Sequence, residues 1–105
     1  MDMAAICCAL GNKTRYQFIM ALKNETISSC CDRILVTEYA VSVGDVVKMT
    51  GLAQSTVSQH LAVLLKAGLL RREKRELWSC YFLNTQVLTE FLIQMNSDLQ
   101  PQITT

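Results

Sequence analysis

The sequence predicts a mainly α-helical fold of about five helices with one β-hairpin in its second half. Three observations carry this. Apolar residues return at helical spacing in separate stretches, each bounded by Gly, Asn or Ser. One stretch, Leu69 to Leu83, has β-favouring ends around a basic centre, as a hairpin requires. Leu52 to Gly68, LAQSTVSQHLAVLLKAG, reads as a turn leading into one continuous helix, with the shorter helix just before it. At 105 residues, half of them hydrophobic, residues 1–105 form one domain with material for a small core. A chain of this size still buries a limited fraction of its surface, so pairing through an apolar helix is expected.

Asp2 to Leu10 is a first helix of small and apolar residues. It is too short to stand alone, so it must pack on something, and a partner subunit is one candidate. Gly11 and Asn12 break it, and Asn12 can cap the next helix, Lys13 to about Asn24. There Tyr16, Ile19, Met20 and Lys23 mark one side, Phe18 and Leu22 widen it, and the simplest assignment is core. Residues 26–41, TISSCCDRILVTEYAV, have no helical pattern; Ile34, Val36 and Tyr39 suit a short extended segment. Ser42 opens the third helix with Asp45 three residues on, an S-x-x-D capping pattern. Val43, Val46 and Val47 give its apolar side, and Gly51 ends it. The fourth helix ends in the same way at Gly68, and hairpin strands follow near 69–73 and 77–83. The last helix, about Thr85 to Leu99, carries a wide stripe of Leu88, Phe91, Leu92, Met95 and Leu99. Pro101 to Thr105 is a polar tail.

The fourth helix has two faces. Val57, Leu61, Leu64 and Leu65 form the apolar one. Gln54, Ser55, Thr56, Ser58, Gln59 and His60 form the other, polar without net charge. Such side chains suit hydrogen bonding to base edges in a major groove. A solvated helix face is the alternative. The charge distribution bears on the choice. Total charge is only +1, yet Lys66, Arg71, Arg72, Lys74 and Arg75 oppose Glu73 and Glu76 alone between Gln54 and Trp78. The positive charge gathers on the hairpin, where phosphate contacts would be made. Arg72, Lys74 and Arg75 are the candidates, with Arg71 a structural residue at the strand start.

The order GLAQSTVSQHLAVLLKAGLLRREKRELWSCYFL resembles the winged helix-turn-helix of the ArsR/SmtB family of bacterial transcription regulators. The upstream ALGNKTRYQFIMAL resembles that family's ALADPTRLRILRLL entry, with Thr14 and Arg15 at matching positions. The likeness covers roughly residues 4–25 and 42–95. It implies a homodimeric repressor of double-stranded operator DNA. It places the last helix at the dimer interface beside the first, which makes Leu88, Phe91, Leu92 and Met95 the interface candidates. Residues 26–41 depart from the family, whose members pass from second to third helix in a few residues; the inserted loop adds roughly a dozen. The wing turn also departs, with Glu76 where many relatives have Gly.

Catalysis has little support. The single His lies on the proposed DNA face, no Gly-rich phosphate loop follows a strand, and no triad order is present. No apolar run is long enough to span a membrane and no signal-peptide pattern opens the chain, so the expected compartment is the cytoplasm. There the five cysteines would stay reduced. They fall as Cys7–Cys8, Cys30–Cys31 and Cys80. For Cys80 core packing is the expectation. For the doublets the resemblance implies an effector role: capture of As(III) or another thiophilic ion, or reversible thiol oxidation. The family's CVCDL metal motif reads SVGDV here, with Ser42 and Gly44 in place of both thiolates and Asp45 retained. The family's second site, acidic and His residues on the last helix, has no His to use. A thiol sensor would therefore draw on the doublets Cys7–Cys8 and Cys30–Cys31; the alternatives are that the chain senses something else, or nothing, and the doublets pack as small apolar residues. Three functions follow: a repressor released by an ion at the thiols, the same module switched by thiol oxidation, or a winged-helix domain for protein–protein contacts alone.

Overall fold

The computed structural model describes residues 1–24, 40–75 and 78–101. Along them run α1 (Met3–Leu10), α2 (Lys13–Lys23), β1 (Ala40–Ser42), α3 (Val43–Thr50), α4 (Gln54–Lys66), β2 (Leu70–Arg75), β3 (Trp78–Leu83) and α5 (Thr85–Leu99). The mainly helical fold with a hairpin is as expected.

Side-chain caps start four of these helices. The Asp2 carboxylate accepts from the Ala5 N–H at 3.1 Å, Asn12 from Arg15 at 3.2 Å and Asn84 from Val87 at 3.3 Å. Each satisfies one of the amide donors that a helix start leaves open. At α3 the capping box is complete: the Ser42 hydroxyl accepts from the Asp45 N–H, and the Asp45 carboxylate accepts from the Ser42 N–H at 2.9 Å. Gly51 then stops α3 at φ 70°, where a side chain would be strained. Gly68, at φ 84°, turns the chain from α4 into the sheet.

One core joins the helices to the hairpin. Val57, Leu61 and Leu64 recur one turn apart on α4 and are fully buried. Each contributes about 1.5–3 kcal/mol by leaving water. They meet Ile6 and Ala9 of α1, Phe18, Ile19 and Leu22 of α2, and Val46 of α3 in one cluster. Leu70 and Leu83, paired across the hairpin, close it from the sheet side. The backbone N–H of Asn84 donates to the Leu69 carbonyl at 2.8 Å, which ties the start of α5 to the turn between α4 and β2.

Four expectations need correcting. Tyr16 and Met20 are exposed, because the core takes only the narrower Phe18–Ile19–Leu22 side of α2. Leu65 is half-buried rather than a full member of the α4 ridge. The strands run Leu70–Arg75 and Trp78–Leu83, later at the first strand's end than periodicity alone indicates. The sheet also has a third strand. Ala40–Ser42 pairs antiparallel with β3, Ala40 opposite Phe82 and Ser42 opposite Cys80, giving the order β1-β3-β2. Pairing on both sides satisfies backbone groups of β3 that would otherwise form an open edge. Ala40 and Val41 of the insertion therefore belong to the sheet. Residues 25–39, with Ile34, Val36 and Tyr39, lie outside the described residues, as does Glu76 at the hairpin turn.

Candidate nucleic-acid interface

The polar face of α4 begins at a tight turn. The Thr50 hydroxyl donates to the Val46 carbonyl at 2.8 Å and accepts from the Leu52 N–H at 3.2 Å, bracing the chain as it leaves α3. Ala53 is the N-cap of α4, and no side chain caps it. The first amides of α4 thus lack the side-chain acceptor that α1, α2, α3 and α5 have. Gln54, Ser55, Ser58 and Gln59 are exposed, and Thr56 is half-buried. Ser55, Thr56, Ser58 and Gln59 stand away from the Val57–Leu61–Leu64 ridge, which anchors the helix, while Gln54 is exposed at the helix start, three residues before Val57.

His60 differs from the other five. It is half-buried, with its ring edge-on to Phe18 at 5.9 Å between centroids and its Nδ1 3.4 Å from Arg15 Nη1. The helical period places residue 60 at the boundary between the polar face and the core, so it reaches back to α2 as well as facing outward.

On the hairpin the charges separate by strand alternation. Arg71 donates to the Glu73 carboxylate at 2.6 Å and its guanidinium lies 4.4 Å from the centre of the Phe82 ring. It is committed within the sheet, as the sequence suggested. Arg72 and Lys74 are exposed and stand on the opposite side of β2, across from Tyr81 and Ser79. Arg75 pairs with Trp78 at the hairpin end; its side chain lies outside the described residues.

The α5 candidates divide. Phe91 is buried in its own chain's core and so is spent there, a correction to its place among the interface residues. Leu88 and Met95 are half-buried against that core. Leu92 is 57% exposed, and so are Ile93 at 66% and Leu99 at 69%. Ile93 lies off the stripe that periodicity picks out. Its apolarity beside Leu92 was the available signal.

Cys7 and Cys8 are exposed on α1, and Cys80 is fully buried in β3. Cys30 and Cys31 lie outside the described residues. Among the described residues no group of three or more His, Cys, Asp or Glu side chains could hold a metal ion. Ser42 and Asp45 are buried and bonded to each other's backbone, so the SVGDV segment serves helix capping. No helix among the described residues is long and apolar enough to cross a membrane.

Known proteins resemble this chain in sequence and in fold. The family model described as bacterial regulatory protein, arsR family, matches residues 35–72. The "Putative arsenical resistance operon repressor ArsR2" of Halobacterium salinarum is 36% identical over 95% of this chain and 88% of its own. An ArsR-like transcriptional regulator from Rhodococcus sp. RHA1 superposes with a TM-score of 0.69 at 17% identity, covering 90% of this chain and 76% of that one. The homodimeric winged helix-turn-helix DNA-binding domain of a possible ArsR-family regulator from Mycobacterium bovis superposes at 0.64 with 21% identity, covering 97% and 84%. At those identities the two structures show the fold alone.

Proposed function

Because this chain belongs to the arsR family of bacterial regulatory proteins, we propose that it represses transcription as a homodimer that reads operator DNA with α4 and is released by an event at its thiols. It is a regulator and not an enzyme. The observation that carries the DNA reading is the start of α4: exposed, uncharged polar side chains on a helix with no side-chain cap. Open amide donors there suit a phosphate, while Gln54, Ser55, Thr56, Ser58, Gln59 and His60 suit base edges. Arg72 and Lys74, with Arg75 at the hairpin end, supply phosphate contacts on the flank. This arrangement favours DNA over a purely protein partner.

The thiol switch rests on Cys7 and Cys8, whose thiols are exposed on α1, together with Cys30 and Cys31. The Halobacterium relative is described as an arsenical resistance operon repressor, and As(III) is a thiolate-seeking ion. Reversible oxidation of the same thiols is the second reading, favoured by the exposure of an adjacent pair. The whole chain then acts as one DNA-binding domain, with α5 as its pairing helix.

The test is a gel-shift titration with DNA flanking the chain's own gene, under reducing conditions, with and without arsenite. The expected result is a complex tighter than with random DNA, and its release by arsenite. Release should be lost in Cys7→Ser/Cys8→Ser and in Cys30→Ser/Cys31→Ser. Equal affinity for random DNA would remove the reading of α4. Release that survives in both double variants would return the cysteines to packing.

A further inference from the structure

Arg15 sits in the first turn of α2, and its guanidinium joins two other helices. Nε donates to the Ala9 carbonyl at 2.8 Å, and Nη2 donates to the Cys8 carbonyl at 3.3 Å. Both carbonyls belong to the last turn of α1, where few backbone donors remain to bond them; that of Cys8 also accepts from the Gly11 N–H at 3.2 Å. A cation at that end is favourable. The remaining nitrogen, Nη1, lies 3.4 Å from Nδ1 of His60 on α4.

The chemistry of that last contact is one-sided. A guanidinium only donates, so Nδ1 of His60 must accept. A neutral imidazole that accepts at Nδ1 carries its hydrogen at Nε2. The edge-on Phe18 ring limits rotation of the imidazole from the core side. Among the described residues Nε2 makes no hydrogen bond. Arg15 thus holds α4 against the end of α1 and sets which ring nitrogen is free to donate.

We propose that Arg15 is a positioning residue for DNA reading: by its contacts to Cys8, Ala9 and His60 it fixes the recognition helix and presents His60 Nε2–H to an acceptor on the DNA. The acceptor is a phosphate oxygen or the N7 or O6 edge of a guanine. This deepens the DNA-binding reading and rests on it for its final step. The contacts also join the turn that bears Cys8 to the helix that bears His60.

The chain contains one histidine, so its ring nitrogens can be read without assignment. The experiment is a long-range 1H–15N spectrum of the 15N-histidine-labelled protein at a pH well above the ordinary imidazole pKa of about 6.5. The wild type should show a hydrogen on Nε2 and an Nδ1 signal displaced from the free, unprotonated position. Arg15→Met should return Nδ1 to the free position. A hydrogen on Nδ1, or an undisplaced Nδ1 in the wild type, overturns the proposal even if the variant fails to fold.

The DNA arm uses the same proteins. Arg15→Met should weaken the specific complex by about fivefold to tenfold, the scale of one hydrogen bond. Arg15→Met combined with His60→Ala should lose no more than His60→Ala alone. Independent, multiplying losses would overturn the route through His60. His60→Ala acting on the specific site only points to a guanine edge, and acting on all sequences points to phosphate; no effect on either overturns the contact. If the wild type binds no DNA, the functional reading fails while the spectrum still decides the tautomer.

Discussion

Thr56 and Gln59 are three residues apart on α4, so their side chains share one strip of the helix surface. Gln59 is exposed and Thr56 half-buried beside it. Gln can make two hydrogen bonds to an adenine edge, whereas a hydroxyl makes fewer and more tolerant ones. Gln59→Ala is therefore expected to cost about 1–3 kcal/mol on the specific site and little on random DNA. Fluorescence anisotropy with both DNAs measures the difference; equal losses on the two would make Gln59 a phosphate contact. At the same scale Asp45 shows how a position can change its work. The family motif places it beside two thiolates. Here it is buried, and its carboxylate completes a capping box with Ser42.

At the scale of elements, the hairpin separates structural charge from available charge. Arg71 is held by Glu73 and by the Phe82 face. An exposed ion pair of this kind is worth little, so its role is to cover the sheet. Arg72 and Lys74 point the other way and are exposed. Replacing both by alanine should weaken binding to every DNA sequence alike. The slope of log affinity against log salt should flatten by about one unit per lost phosphate contact. An unchanged slope would remove these two residues from the interface. Strand β1 adds a second lesson at this scale. Ser42 ends β1 and caps α3, so the sheet and the helix that precedes α4 share one residue. The register of the sheet thereby sets where α3 begins.

At the scale of the molecule, α5 is the element with apolar surface left over. Phe91 closes the core from inside, while Leu92, Ile93 and Leu99 remain exposed. A single chain of this size has no further element among its described residues to cover them. Pairing of two copies would bury them and set the spacing between two α4 helices, which must match two half-sites at once. Leu92→Glu with Ile93→Glu should give a folded monomer by sedimentation velocity, with loss of specific DNA binding. A dimer that persists in the double variant would place the interface elsewhere. The described exposure of Cys7 and Cys8 on α1 belongs to the same scale, since α5 also contacts α1.

What the sequence determined by itself is local. The caps Asn12 and Ser42, the stops at Gly51 and Gly68, and the Val57–Leu61–Leu64 ridge depend on residues a few positions apart. The polar face of α4 was legible for the same reason, as was a structural role for Arg71 at the strand start; its Glu73 and Phe82 partners came from the structure. Tertiary structure decided whatever joins distant residues. It paired Ala40 with Phe82, turned Tyr16 and Met20 outward, and drew Phe91 into its own core while leaving Ile93 exposed. It also brought Arg15 to His60 across 45 positions of sequence. Periodicity names the residues able to lie on a face. Which part of that face is buried depends on the shape of the elements that pack against it, and that is a property of the assembled core.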